Sequence, residues 1–143
     1  MNCLTLESSN RAELADALLD DRWTVACLCA QWCDVCCTYR PGFEKLAERH
    51  PNVRFVWIDI EDQDDVVGEL DIENFPTLLL QRGATVAFFG MVVPDPGVAE
   101  RLLLAQIGKT LNDLVTEAHS SVEHQRWQRD ANLLALLNNT PAS

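Results

Sequence analysis

Two apolar stretches, the unbroken "WTVACLCA" at 23–30 and "VRFVWIDI" at 53–60, constrain the fold more than any other feature of the chain. Apolar and β-branched residues without polar alternation suit strands buried on both faces. Between them, Phe43, Leu46 and Ala47 recur at helical spacing within 33–49, so the unit reads as strand, helix, strand. Such a unit pairs its strands in parallel through a right-handed crossover. Pro41 falls inside the helix and is expected to kink it. Downstream, the runs 76–81 and 85–90 are joined by three residues including Gly83. A connection that short dictates an antiparallel hairpin.

The remaining elements complete a layered α/β pattern. Residues 4–6 suit a short edge strand, and 8–21 suit a helix capped by Ser9 or Asn10 with Leu14 and Leu18 inward. Residues 61–72 read as an acidic helix with Val66, Val67 and Leu70 facing the core, and 95–107 open on a proline beside acid, as helices do. The expectation is a mixed sheet of four to five strands with helices on both faces. It occupies a domain over 1–108, followed by a helical extension over 109–143 with a frayed end at "NNTPAS". In the extension, Leu111, Leu114, Val115, Ala118 and Val122 keep a 3-4 spacing and Leu133, Leu134, Leu136 and Leu137 cluster. One or two amphipathic helices are expected there. They either fold back on the domain, or form a dimer or client contact through 109–138.

Charge narrows the function. Eleven basic residues against 22 acidic give a net charge of −11, which argues against a nucleic-acid partner. The acidic set Glu61, Asp62, Asp64, Asp65, Glu69, Asp71 and Glu73 reads as a solvated helix face. No window reaches the roughly 18 apolar residues of a membrane span, and residues 1–14 show neither a basic leader nor an apolar signal run. A cytoplasmic protein is expected, where structural disulfides are rare.

Six cysteines are present, and five of them (Cys27, Cys29, Cys33, Cys36 and Cys37) lie within eleven residues, too close together to staple distant loops. The stretch "WCDVC" sits where a strand passes into a helix, and in that context Cys-x-x-Cys reads as a redox motif in preference to half of a zinc site. A closed zinc site needs a second ligand cluster, and His50, His119 and His124 provide none. Two sulfurs three apart at a helix start are neighbours able to bond. The first also meets the free N–H groups and the positive end of the helix dipole, which favour thiolate. Cys33 is therefore the expected nucleophile and Cys36 its resolving partner. Cys27 and Cys29 share one face of their strand behind the motif. Inert core packing is the favoured reading for both, with Cys27 a possible modulating group. Cys37 is either a third redox thiol or plain helix surface, and Cys3 is expected to be only a terminal residue. Trp57 is expected in the core.

Residues 26–90 carry a family resemblance. Trp32-Cys33-x-x-Cys36, Pro41 five residues after the second cysteine, the strand end "WIDIE", the segment "FPTLLL" and Gly90 fall in the order and spacing of the thioredoxins. The likeness spans about residues 3–107. It implies the thioredoxin fold, dithiol–disulfide exchange with protein substrates, and an external reductase with no bound cofactor or metal. It also implies a cis Phe75–Pro76 bond facing the dithiol, with the Phe75 backbone and Pro76 presented to a substrate strand and with Trp32, Asp34 and Val35 flanking it.

The departures bear on mechanism. Asp34-Val35 replaces the family's Gly-Pro, and the Asp34 charge opposes thiolate at Cys33 while the helix end favours it. Cys27 occupies the place of a buried carboxylate that assists proton transfer, an aromatic is missing at Cys29, and Cys37 replaces a basic residue. These changes keep a second reading open: a thioredoxin-fold chaperone or adaptor with a slow or vestigial dithiol.

Overall fold

The structure, a computed structural model, describes residues 3–68, 70 and 72–139. Among the described residues five strands, β1 (Cys3–Thr5), β2 (Trp23–Cys29), β3 (Arg54–Asp59), β4 (Thr77–Arg82) and β5 (Thr85–Met91), form one sheet in the order β1-β3-β2-β4-β5. β1, β3 and β2 run in parallel, whereas β4 pairs antiparallel with both β2 and β5. β2 is central and every residue of it is buried, as its unbroken apolar run requires. Gly83 turns the β4–β5 hairpin at φ 55°, a left-handed conformation that glycine adopts without steric penalty.

Side chains alternate across a strand, so the two faces of the sheet form two cores. On one face Val25, Cys27, Cys29, Phe55, Trp57, Leu78 and Leu80 pack under α2 (Asp34–Arg49), with Leu103 of α4 (Pro96–Ile107) and Leu114 of α5 (Leu111–Ala118). On the other, Ala26, Leu28, Val56, Ile58 and Leu79 pack under Leu14 of α1 (Arg11–Ala17), Val66 and Val67 of α3 (Asp64–Val67) and Leu133 and Leu137 of α7 (Leu133–Asn138). α2 continues through Pro41. At Gly42 an added Cβ would lie 2.5 Å from Cγ of Pro96, so the missing side chain is what lets α4 approach α2 there.

Two expectations change. The acidic helix over 61–72 contracts to the single turn of α3. Asp59 Oδ1 accepts from the backbone N–H of both Glu61 and Asp62, at 2.9 and 3.0 Å, which holds the preceding residues in turns instead of helix. Glu61, Asp62, Asp64, Asp65 and Glu73 are exposed, while Glu69 and Asp71 lie outside the described residues. Asp65 is also an ion-pair partner, gripped by both terminal nitrogens of Arg11 at 2.7 Å.

Among the described residues the extension forms three helices, α5, α6 (Val122–Asp130) and α7, each opened by a capping side chain: Thr110, Ser121 and Asn132. They wrap β5, passing from the α2 face to the α1 face. Leu114 and Leu133 enter the two cores, while Leu111, Val115 and Val122 stay exposed. Gln128 of α6 bonds both backbone groups of Val86, accepting at 2.8 Å and donating at 2.7 Å. Buried Gln81 accepts from the Leu133 N–H at 2.9 Å and donates to Asn132 Oδ1 at 3.0 Å. Of the frayed end, residues 140–143 lie outside the described residues. No helix among the described residues is long and apolar enough to cross a membrane.

Candidate active site

The site forms where β2 leaves the sheet and α2 begins. Cys33 is the N-cap of α2 in an extended conformation, its N–H donating to Ala30 O at 3.0 Å and its carbonyl accepting from Cys37 at 3.1 Å. Asp59, at the end of the neighbouring strand, accepts from the Gln31 N–H at 2.9 Å and so fixes the loop that delivers the motif. Asp34 and Val35 follow on the exposed first turn, and Cys36 turns inward, 1% exposed.

Across the site the Phe75–Pro76 bond is cis. Pro76 is buried, its carbonyl accepts from Val92 N–H at 3.1 Å, and Thr77 Oγ1 donates to Asn74 O at 2.8 Å, so the loop is anchored on both sides. Trp32, 67% exposed, meets Phe75 edge-on, ring centroids 5.8 Å apart. Trp32, Cys33 and Phe75 therefore lie together, with Asp34 and Val35 on the adjoining turn.

The cysteine bonding departs from the expected pairing. Cys36 is disulfide-bonded to Cys29, the last residue of β2, with Cα atoms 5.8 Å apart, and Cys33 is a free thiol. Cys29 is thus not an inert core residue. The odd-numbered face of β2 looks directly at the inward face of α2, so a sulfur at Cys29 meets one at Cys36 across the strand–helix interface. The shared parity of Cys27 and Cys29 was the available signal, and it placed both behind the motif without revealing which helical sulfur each would touch.

Cys27 is fully buried with its Sγ 3.9 Å from Cys29 Sγ. Burial first, then the neighbouring Cys3, pushes the Cys27 thiol far above its ordinary pKa, so it stays protonated at neutral pH. Cys3, half-buried against the same core, is likewise pushed up by burial, to about 11. Cys37 is exposed, its Sγ 3.5 Å from Gln31 O. Cys36, Cys37, Arg40 and Trp57 line a cavity of about 360 Å³ beside the motif. The Arg40 guanidinium covers the buried Trp57 ring at 4.9 Å. Of the histidines, His50 is half-buried and bonds Glu100 at 2.8 Å, and His124 stacks on Trp127 at 4.4 Å.

Comparison with known proteins agrees with this geometry. The thioredoxin family profile matches residues 5–92. The chain is 36% identical to a thioredoxin of Ophiophagus hannah over 47% of its own length and 62% of that protein's, so it spans less than two thirds of that relative. It is 31% identical to Homo sapiens thioredoxin over 59% of its length and 81% of that protein's. Among solved structures, a poplar thioredoxin h superposes with a TM-score of 0.67 at 20% identity, covering 77% of this chain and all 100% of that one. Thioredoxin from Trypanosoma brucei brucei gives 0.64 at 23% identity, covering 75% and 92%. A chain of the crystal structure of a ferredoxin:thioredoxin reductase and thioredoxin f2 complex gives 0.65 at 18% identity, covering 75% and 96%. By sequence and by fold alike, the chain belongs to the thioredoxin family, a family of protein disulfide oxidoreductases.

Proposed function

We propose that the chain exchanges disulfides with protein substrates in the cytoplasm, with Cys33 as attacking thiol and Cys36 as resolving thiol. The observation that carries this reading is the placement of free Cys33 at the N-cap of α2, beside the cis Phe75–Pro76 loop. The sulfur is half-buried and reaches the surface there, and its thiolate is the attacking species. A substrate strand laid along the Phe75 backbone, flanked by Trp32 and Val35, brings its disulfide to that sulfur. Cys33 displaces one substrate sulfur and forms a mixed disulfide. Cys36, one helical turn inward, displaces the other and leaves Cys33–Cys36 oxidised. An external reductase returns the dithiol.

The test is reduction of insulin disulfides with dithiothreitol as reductant. The wild-type chain is expected to accelerate it, Cys33→Ser to fall to the uncatalysed rate, and Cys36→Ser to accumulate a substrate adduct on Cys33. Equal, feeble rates for wild type and Cys33→Ser would defeat the assignment. They would favour the adaptor reading, which has its own support: Cys27 replaces the proton-accepting carboxylate with a thiol that burial keeps protonated.

A further inference from the structure

We propose that Cys29 is a second resolving thiol, which takes Cys36 over from Cys33, so that the oxidised protein buries its disulfide and presents Cys33 as a lone thiol that holds clients covalently. The proposal rests on Cys33 as the attacking thiol. Cys36 has a cysteine partner on each of two sides. Along α2 it neighbours Cys33 by the three-residue helical spacing. Across the strand–helix interface it is bonded to Cys29. The two disulfides share Cys36 and therefore exclude each other.

Their interconversion needs no outside oxidant. After a turnover the bond is Cys33–Cys36. The Cys29 thiol loses its proton to water in the cavity that Ala30 and Cys36 line, and its sulfur attacks Cys36 Sγ; the Cys29–Cys36 bond forms, the Cys33–Cys36 bond breaks, and its electron pair leaves on Cys33. Cys33 takes up one proton in place of the one Cys29 lost, or stays as thiolate. One disulfide and one thiol are present before and after. The leaving sulfur sits at the N-cap of α2, half-buried, where water can protonate it. Behind the attacking sulfur, Cys27 is placed to donate its S–H to Cys29, at 3.9 Å. That contact supports the Cys29 thiolate in an otherwise apolar cluster.

The product differs from an ordinary oxidised dithiol. Cys29 and Cys36 are 0% and 1% exposed, beyond the reach of a folded client's thiol, while Cys33 keeps contact with the surface. Cys33 then attacks a second client disulfide, forms a mixed disulfide and releases the client's other sulfur as thiolate. Cys36 is committed and cannot resolve the adduct. Release waits until an external dithiol, itself oxidised to a disulfide, reduces Cys29–Cys36 and frees Cys36 to displace the client. The same chain thus turns over clients when reduced and retains them when oxidised.

The experiment maps disulfides in the full-length chain. The reduced protein receives one equivalent of diamide, is quenched in acid at increasing times, alkylated with N-ethylmaleimide and cut with chymotrypsin, which cleaves after Trp32. A Cys33–Cys36 bond stays within residues 33–39, whereas Cys29–Cys36 joins residues 29–32 to 33–39 and leaves Cys33 alkylated. The linked pair is expected to dominate at equilibrium. Cys29→Ala is expected to lower alkylation of Cys33 at least about tenfold, because its oxidised form can hold only the Cys33–Cys36 bond. Oxidised wild type incubated with a peptide disulfide is expected to gain an adduct on Cys33 that persists until dithiothreitol is added. Wild-type bonds confined to 33–39 at equilibrium would overturn the handoff, whatever the fate of the variant. No adduct on oxidised wild type, with normal trapping by Cys36→Ser, would overturn client retention while sparing Cys33 as the attacking thiol. No adduct on either would remove that assignment and the proposal with it.

Discussion

The indole of Trp32 stands edge-on to the ring of Phe75, 78° between planes, and this contact joins the cysteine-bearing turn to the cis-proline loop. Trp32 is 67% exposed, so it contributes little to the core and is available to a substrate. An aromatic pair adds about 0.5–1.5 kcal/mol beyond simple burial. Trp32→Ala is therefore expected to raise KM for a protein disulfide about two- to tenfold with kcat nearly unchanged. Its thermal midpoint should fall by about 2–6 °C as the contact with Phe75 is lost. Steady-state insulin reduction with a melting curve checks both.

Restoring a carboxylate behind the motif tests what Cys27 withholds. In Cys27→Asp the new acid replaces a thiol that has no capacity to accept a proton at neutral pH. Resolution of the Cys33–substrate adduct, followed by rapid quench, is expected to accelerate in the variant. Stability is expected to fall by about 1–3 kcal/mol in urea titration, because the site is fully buried among apolar side chains.

Acid stability should depend on Asp65. The hydrogen bonds from Arg11 hold its carboxyl below the usual carboxylate range. A depressed folded pKa contributes stability that is present above the unfolded value near 4 and is lost as pH falls through the folded one. Asp65→Asn is expected to flatten the acid limb of a circular-dichroism titration below about pH 4 and to leave pH 7–8 slopes unchanged. High salt should shrink the difference, since Asp65 is half exposed.

The extension should behave as part of the fold. Leu133 is 1% exposed against the α1 face, and Leu133→Ala is expected to cost about 2–5 kcal/mol in denaturant. Truncation after residue 108 would bare that face and the β5 edge, and is expected to lower the melting midpoint and shift the protein to oligomers in size-exclusion chromatography.

What the sequence disclosed follows from where burial is complete. β2 and β3 were legible because their central residues are buried on both faces, which leaves no polar position to blur the run. The hairpin was legible through Gly83, and the motif through its place at a strand–helix junction. The path of the extension was not, because Gln128 and Gln81 act through single side-chain amides that carry no periodic signature. The partner of Cys36 escaped for a related reason. Helical spacing points along α2, whereas the Cys29 bond runs between elements and depends on their packing distance.

The two hydrogen bonds from Gln128 to Val86 reach beyond α6 itself. A carboxamide that offers one donor and one acceptor to an outer strand imitates the next peptide of a neighbouring chain. The protein thereby occupies, with its own tail, the berth that a second sheet would need for edge-to-edge growth. Losing that one amide would leave the Val86 N–H and C=O without it at the outer edge of the sheet.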